Sequence, residues 1–192
     1  MNHLILLFVL VLPKESLRFQ FCHEQGFDTS CGMTVAATAL DRYWGIPVTE
    51  WELVAETLAD KLVSGDYTVS LADMATALKA HGIASRAYEA DWDKLIEIAG
   101  KGFVPLILHY DRPVAHFALL LGFKDGRAIT VDPARGIESL SRTVFEARYS
   151  GVAMALAARG RSVDLDAVNE AIAWASGKRS LMEDAALRGA TW

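Results

Sequence analysis

The stretch Gln25-Gly26-Phe27-Asp28-Thr29-Ser30-Cys31-Gly32 decides how the rest of this 192-residue chain is interpreted. It places a cysteine in the first turn of a predicted helix, shortly after a glutamine. Free backbone N–H groups and the positive end of the helix dipole stabilise a thiolate at such a position. The sequence therefore raises the question of whether Cys31 is a nucleophile or a small core residue.

The helix that begins at Cys31 is predicted to be central and buried. Thr29 or Ser30 can cap its N-terminus, and Gly45 followed by Pro47 predicts its end. Small residues along the helix allow other backbone to approach closely; they are Gly32, Ala36, Ala37 and Ala39.

The rest of the first half is also predicted to be helical. A capping-box sequence at Thr49 predicts a helix over about 50–62, and a second one at Ser70 predicts a helix that Gly82 ends. Before Cys31, residues 14–21 alternate loosely, which predicts a short edge strand or an extended arm.

The second half changes to the period of strands, with short helices after Asp91 and Ser141. The turn at Asp125-Gly126 predicts a tight hairpin. Strands are predicted over 83–88, 103–110, 115–123, 128–132, 137–140 and 151–157. Helices first and strands afterwards predict an α+β fold, in which the helix of Cys31 packs on a mostly antiparallel sheet.

Length and composition favour one globular domain with appended segments. Hydrophobic residues make up 52% of the chain, and its net charge of −5 without a Lys/Arg run argues against nucleic-acid binding. We predict an apolar segment and arm at 1–20, the main domain at 21–158 and a helical extension at 159–192. Helices at 164–176 and 181–192 of this extension are expected to pack on the domain; contact with a partner or a membrane surface is the alternative.

The N-terminus carries an apolar run, Leu4 to Leu12, which ends at Pro13. Nine residues are too few to cross a bilayer but match the apolar core of a secretory signal. No Lys or Arg precedes the run and no small-x-small cleavage site follows it, so a buried strand is the alternative. The run predicts an exported, periplasmic or membrane-associated protein; a cytoplasmic location is the other interpretation.

One set of downstream residues could serve a cysteine nucleophile. An attacking thiol needs a base, a group that orients the base, and donors aimed at the developing oxyanion. His116 begins a buried predicted strand, and Asp132 ends the next strand across the hairpin, so antiparallel pairing brings them together. We predict Cys31 as nucleophile, His116 as base, Asp132 as its orienting acid and Gln25 as oxyanion donor.

Each of these residues has an alternative interpretation. A single cysteine in an apolar helix is more often a core residue, and an aspartate before Pro133 is typical of a turn. His109 competes with His116 as the base, because it also ends a predicted strand. The order and spacing of the whole set favour the catalytic interpretation.

The second cysteine, Cys22, adds two further possibilities. In an oxidising compartment Cys22 and Cys31 could form a disulfide, which would inactivate the thiol. A metal site at Cys22, His23 and Cys31 is not expected, since a fourth ligand is not evident. No cofactor is predicted.

The pattern Gln25-x-x-Asp28-x-Ser30-Cys31-Gly32, with the Ala- and Thr-rich helix and Tyr43-Trp44-Gly45 after it, resembles the start of the bacteriocin-processing, double-glycine leader peptidases. These are papain-like cysteine peptidases. His116-Phe117 with its leucine-rich strand, and Val131-Asp132-Pro133, resemble the His and Asp blocks of the family. The resemblance runs from about Phe21 to Leu156.

This resemblance implies a papain-like fold and a hydrolase that cleaves after small residues, with Gly-Gly leader peptides as substrates. It places Cys31, His116, Asp132 and Gln25 in the roles given above and makes a peptide exporter a candidate partner. The Gly-x-x-x-x-Gly-Lys-Ser/Thr motif is absent from the sequence, so the chain resembles stand-alone members. A non-catalytic leader-binding module and a papain-like transpeptidase or amidase are the alternatives.

Overall fold

The computed structural model describes residues 17–27, 29–66 and 68–189, the last part (178–189) as backbone only. The run Leu4–Leu12 lies outside the described residues, so its predicted role stays a prediction. The boundaries proposed for the domain and its extensions also stay predictions.

Helices and strands follow one another in the predicted order. The helices are α1 (Cys31–Thr38), α2 (Glu50–Thr57), α3 (Ala59–Val63), α4 (Leu71–Ala80), α5 (Trp92–Gly100), α6 (Arg142–Glu146) and α7 (Leu165–Gly189). The strands are β1 (Ala84–Glu89), β2 (Leu106–Tyr110), β3 (His116–Lys124), β4 (Arg127–Asp132), β5 (Gly136–Ser141) and β6 (Tyr149–Ala157).

The six strands form one sheet in the order β1-β6-β2-β3-β4-β5, and every neighbouring pair is antiparallel. The β3–β4 hairpin turns at Asp125 and Gly126, whose φ angles of 51° and 69° lie in the left-handed region. The α+β fold with an antiparallel sheet is therefore confirmed.

Both faces of the sheet are covered, which explains the continuous apolar run of β3. Leu119 and Leu121 point into a core shared with α1, α2, α4 and the first part of α7. Leu120 points into a second core, where Trp92 of α5 and Phe145 of α6 pack. A strand buried on both faces has no polar positions to alternate with apolar ones.

Helix α1 lies at the centre of the first core, as predicted. A Cβ added at Gly32 would come within 2.6 Å of the Val69 side chain and 3.3 Å of Phe117, so the helix start is tightly packed between α4 and β3. Beyond Thr38 the helix widens into a π-helical turn over Ala39–Tyr43, and Gly45 follows with a φ of 60°.

Three predicted elements differ from the structure. The helix predicted over 50–62 is divided at Leu58, whose side chain is buried in the core and whose backbone leaves the helical region. The part of the predicted arm at 17–22 is a turn, closed by a hydrogen bond from Cys22 N–H to the Phe19 carbonyl, and not a strand.

The third difference lies at the C-terminus, where the two predicted helices are one helix, α7. Gly177 does not interrupt it, since a single glycine costs a helix only about 1 kcal/mol. Val168 and Ala171 of α7 are buried in the first core, so the predicted packing is confirmed for this part of the helix. No helix among the described residues is long and apolar enough to cross a bilayer.

Candidate active site

Cys31 opens onto a cleft of about 630 Å³ between the helical half and the sheet. The thiol is half-buried at the first residue of α1, and His116 lines the same cleft. Ser30 occupies the cap position, but its side chain makes no capping hydrogen bond, in contrast to the prediction. It donates instead towards the Phe27 carbonyl and the Glu50 carboxylate, which leaves the first N–H groups of α1 free of a side-chain cap.

His116 and Asp132 are joined as the hairpin register predicted. His116 begins β3, Asp132 ends β4, and the histidine Nε2 lies 2.9 Å from Asp132 Oδ1. The carboxylate is fully buried and also accepts hydrogen bonds from the N–H groups of Ala134 and Arg135. These contacts fix Asp132 in place, and Asp132 in turn fixes the histidine ring.

The electrostatics of the pair favour an imidazolium. Burial disfavours the charged ring, but hydrogen bonds to Asp132 and Cys31, together with their negative charges, raise the pKa of His116 to about 9. Burial also opposes ionisation of Asp132, yet the bond to His116 and the charge of the ring lower the pKa of the carboxyl below its usual value. Cys31, His116 and Asp132 thus form one connected chain of groups.

Gln25 lies beside this chain, but the structure does not place it in the cleft wall. Its backbone N–H donates to the Pro133 carbonyl at 2.9 Å, which ties it to the residue after Asp132. Its side-chain amide nitrogen bonds the Phe27 carbonyl at 2.5 Å, while the amide oxygen is buried without a partner. The oxyanion role of Gln25 stays a prediction.

Glu50 is a site residue that sequence reasoning missed. This buried carboxylate accepts from Gly26 N–H at 2.9 Å and from the Ser30 hydroxyl, so it holds both ends of the loop between Gln25 and Cys31. An acidic residue in the first turn of a helix is ordinarily explained by the helix dipole. The sequence offered no other signal.

The turn that follows Asp132 is also held by the N-terminal segment that contains Arg18. Arg18 donates to the carbonyls of Ala134 and Arg135 at 2.9 and 2.8 Å. Gly136 has a φ of 74°, and a Cβ there would lie 2.2 Å from the Arg18 carbonyl oxygen. Only glycine permits this close approach.

Both cysteines are free thiols in this structure, so no disulfide joins them. Cys22 is buried, with its sulfur 3.8 Å from the Asp132 carbonyl oxygen. Burial and then the nearby Asp132 charge raise its pKa to about 12, which makes it an unreactive thiol. Among the described residues no three His, Cys, Asp or Glu side chains cluster as metal ligands would.

His109, the competing candidate base, also lines the cleft, but no carboxylate among the described residues bonds it. Its Nδ1 lies 2.9 Å from the Ser150 hydroxyl. The hydrogen bond to a buried carboxylate belongs to His116, whose pKa is also raised by the nearby Cys31. The geometry therefore selects His116 as the base candidate.

Residues 21–160 match the Peptidase C39 family. The chain belongs to this family. The resemblance drawn from Gln25–Gly32 and the two later blocks is therefore confirmed. Among curated proteins, this C39 chain is 27% identical over 146 residues to the "probable functional amyloid protease FapD" of Pseudomonas aeruginosa. The match covers 74% of this chain, which spans 63% of the length of that relative.

Solved structures show the same fold. The peptidase domain of Streptococcus ComA, a bi-functional ABC transporter, superposes with a TM-score of 0.62 at 20% identity, covering 72% of this chain and 98% of that domain. A double glycine motif protease from an AMS/PCAT transporter, solved in complex with the leader peptide, gives 0.55 at 22% identity, covering 73% and 90%. The papain-like fold of the C39 domain is thus shown.

Proposed function

We propose that this chain is a cysteine peptidase that cleaves peptide bonds after small residues, with Gly-Gly leader peptides as its substrates. The observation that carries the proposal is that Cys31 and His116 line one cleft, where His116 is also hydrogen-bonded to the buried Asp132 carboxylate. A base oriented by an acid is the arrangement that activates a nucleophile, and a purely structural cysteine does not require it. Membership in a peptidase family supports the same reaction class.

In the proposed reaction His116 takes the proton of the Cys31 thiol, and the thiolate attacks the scissile carbonyl carbon. The backbone N–H of Cys31 and the amide of Gln25 donate to the resulting oxyanion. The imidazolium returns its proton to the leaving amine, which departs with the C-terminal fragment. Water then hydrolyses the thioester, with His116 as base, and regenerates the thiol.

Gln25 must change its hydrogen bond for this step. Its amide nitrogen donates to the Phe27 carbonyl in the substrate-free protein, so a rotation of the side chain has to redirect it when the peptide binds. Catalytic hydrogen bonds often form only in the substrate complex.

The substrate proposal rests on the cleft and on the relatives. The cleft walls beside Cys31 are largely apolar and include Val69 and Phe117, a lining that suits small, uncharged side chains next to the scissile bond. The related transporter protease was solved in complex with the leader peptide. A peptide exporter is accordingly the partner we propose, because two related peptidases are parts of transporters.

The test is mass spectrometry of a synthetic peptide that contains a Gly-Gly leader junction. We expect one cleavage after the second glycine and a loss of about three orders of magnitude or more in the Cys31→Ala variant. Cys22→Ser is the matched control and should stay active, since Cys22 is buried away from the cleft. Cleavage that survives Cys31→Ala would overturn the proposed mechanism.

Alkylation separates the enzyme from a non-catalytic binding module. Iodoacetamide should modify Cys31 well below pH 8, where an unactivated thiol reacts slowly because its pKa is about 8.5. A chain that binds the leader without cleaving it and is not alkylated there would be a binding module instead.

A further inference from the structure

His109 lies in the cleft at a position that the proposed reaction does not use. It pairs with Phe117 across β2 and β3, and their rings lie 5.1 Å apart. Phe117 packs against Gly32, the residue after the nucleophile. The chain of contacts Gly32–Phe117–His109 therefore places the histidine in the cleft wall beside the reacting centre.

The hydrogen bond to Ser150 sets the orientation of this ring. The Ser150 hydroxyl accepts from Val152 N–H at 3.3 Å and lies 2.9 Å from His109 Nδ1. A hydroxyl that accepts from Val152 can at the same time donate its own hydrogen to Nδ1, and this is the arrangement on which the inference rests. The neutral ring then carries its hydrogen on Nε2, and an imidazolium would carry one there as well.

The Nε2–H group is available to a ligand. Among the described residues it has no hydrogen-bond partner, and it is not one of the buried polar atoms without one. The walls around it are largely apolar, with Pro113, Val114 and Val152 contributing to the same cleft. An oriented donor in a largely apolar cleft is typical of a group that fixes a ligand.

We propose that His109 is a substrate-binding residue that donates Nε2–H to a main-chain carbonyl of the bound peptide. This inference rests on the proposed peptidase function and adds a binding contact to it. Main-chain carbonyls are the acceptors that every peptide presents, and one buried in this cleft needs a donor in place of water. His109 thereby contributes to affinity and register, while His116 carries the proton.

Two substitutions isolate the proposed contact. His109→Gln places an amide N–H near the position of Nε2, whereas His109→Asn reaches only as far as Nδ1 and removes the donor. For cleavage of the Gly-Gly leader peptide we expect the Asn variant to raise KM about two- to tenfold, the range of one neutral hydrogen bond, with kcat little changed. The Gln variant should stay near the wild type.

Iodoacetamide alkylation of Cys31 should be the same in both variants, because the small reagent does not need the contact. An unchanged KM in the Asn variant would overturn the inference. So would slow alkylation, since it would show that His109 activates the thiol and is the base.

Direct binding separates this inference from the proposed reaction. In a Cys31→Ala background the fluorescence anisotropy of a labelled leader peptide should show a weaker Kd with His109→Asn by the same factor as KM. If the wild type binds the peptide but never cleaves it, the proposed function fails while the His109 contact is still measured. If Kd does not change, the His109 inference fails whatever the outcome for cleavage.

Discussion

The proposed chemistry of Cys31 depends on His116. A half-buried cysteine at a helix start is common, and by itself it predicts little. Here the imidazole lines the same cleft as the thiol and is bonded to a fully buried carboxylate. Because Asp132 is also held by two backbone N–H groups, the ring it bonds has one preferred orientation.

The first prediction concerns the pH dependence of the reaction. The pKa of His116 is raised to about 9, so the imidazolium persists through neutral pH and is lost as pH rises through that value. We expect the alkaline limb of the kcat/KM profile near pH 9 in the wild type. Asp132→Asn removes the carboxylate, so the limb should move down towards 6.5, the ordinary pKa of histidine.

Stability provides an independent measurement of the same shift. A group whose pKa is higher in the folded state contributes stability at low pH, and that contribution is lost as pH rises from 6.5 through about 9. Urea denaturation between pH 6 and 10 should show this loss in the wild type and much less of it in Asp132→Asn. An alkaline limb and a stability profile that do not respond to the substitution would exclude the His116–Asp132 coupling.

The three residues of this chain could be predicted because two local rules place them. A thiol at a helix start is one such rule, and the approach of a histidine and an aspartate across one tight hairpin is the other. The preference for His116 over His109 needed the order of the whole set and the family resemblance as well. The contacts of Gln25 and Glu50 could not be predicted in this way. The orientation of the Gln25 amide and the bond to Glu50 depend on how the loop before Cys31 packs against the start of α2. This packing is a tertiary contact, and no local sequence pattern predicts it.

At the scale of elements, helix α2 supports the loop that precedes α1. Glu50 in the first turn of α2 accepts from Gly26 N–H and from Ser30, and so spans the loop that connects Gln25 with Cys31. A buried carboxylate is costly unless it is hydrogen-bonded, which indicates that the contact positions the loop. Glu50 touches no reacting atom and is a positioning residue.

We expect Glu50→Ala to lower kcat about tenfold or more, because small displacements of reacting groups have large effects on rate. Glu50→Gln should recover most of the activity. The amide oxygen of the new side chain can accept from Gly26 N–H, and its amide nitrogen can donate to the Ser30 hydroxyl. That hydroxyl can still donate its own hydrogen to the Phe27 carbonyl, which lies 2.9 Å away. Steady-state kinetics on the leader peptide and thermal unfolding would be measured for both variants.

Glu52→Ala is the matched control for this experiment. Glu52 lies in the same helical turn and completes the capping box with Thr49, but it faces solvent and does not reach the loop. Its loss removes one half of the capping box and should lower the stability slightly, with little effect on kcat. Equal losses of activity in both alanine variants would mean that Glu50 acts only by stabilising α2.

The helices and strands could be predicted where their ends carry capping residues or turn residues. The capping boxes at Thr49 and Ser70, the cap at Asp91 and the hairpin at Asp125-Gly126 all form as their sequences indicate. The break at Leu58 has no such signal. Burial of its side chain in the core outweighs the local preference to continue the helix, and this is a tertiary effect.

At the scale of the whole molecule, α7 extends the first core beyond the region that matches the family. The match ends at residue 160, and α7 begins at Leu165. Its start is anchored by a hydrogen bond from Asp164 N–H to the Tyr43 carbonyl, and Arg161 bonds the carbonyls of Trp44 and Gly45. The start of α7 is thus tied to the segment that follows α1, and the helix also packs on the sheet.

Because Val168 and Ala171 belong to the same core as α1, the stability of α7 and that of the active-site region should be coupled. Val168→Asp puts an unpaired charge into this core and should lower the free energy of unfolding by about 3 kcal/mol or more. Asn169→Asp is the control, because it introduces the same charge at the next residue, which is exposed. This substitution should change the free energy of unfolding by no more than about 0.5 kcal/mol.

Urea denaturation followed by tryptophan fluorescence measures the global loss, and iodoacetamide alkylation of Cys22 reports the opening of the core around α1. Cys22 is buried in the native protein and becomes reactive only when that core opens. In Val168→Asp we expect its alkylation to accelerate together with the loss of stability, because one core joins the two regions. If α7 detached alone, the substitution would leave the protection of Cys22 intact, and α7 would then be a separable appendage rather than part of the domain.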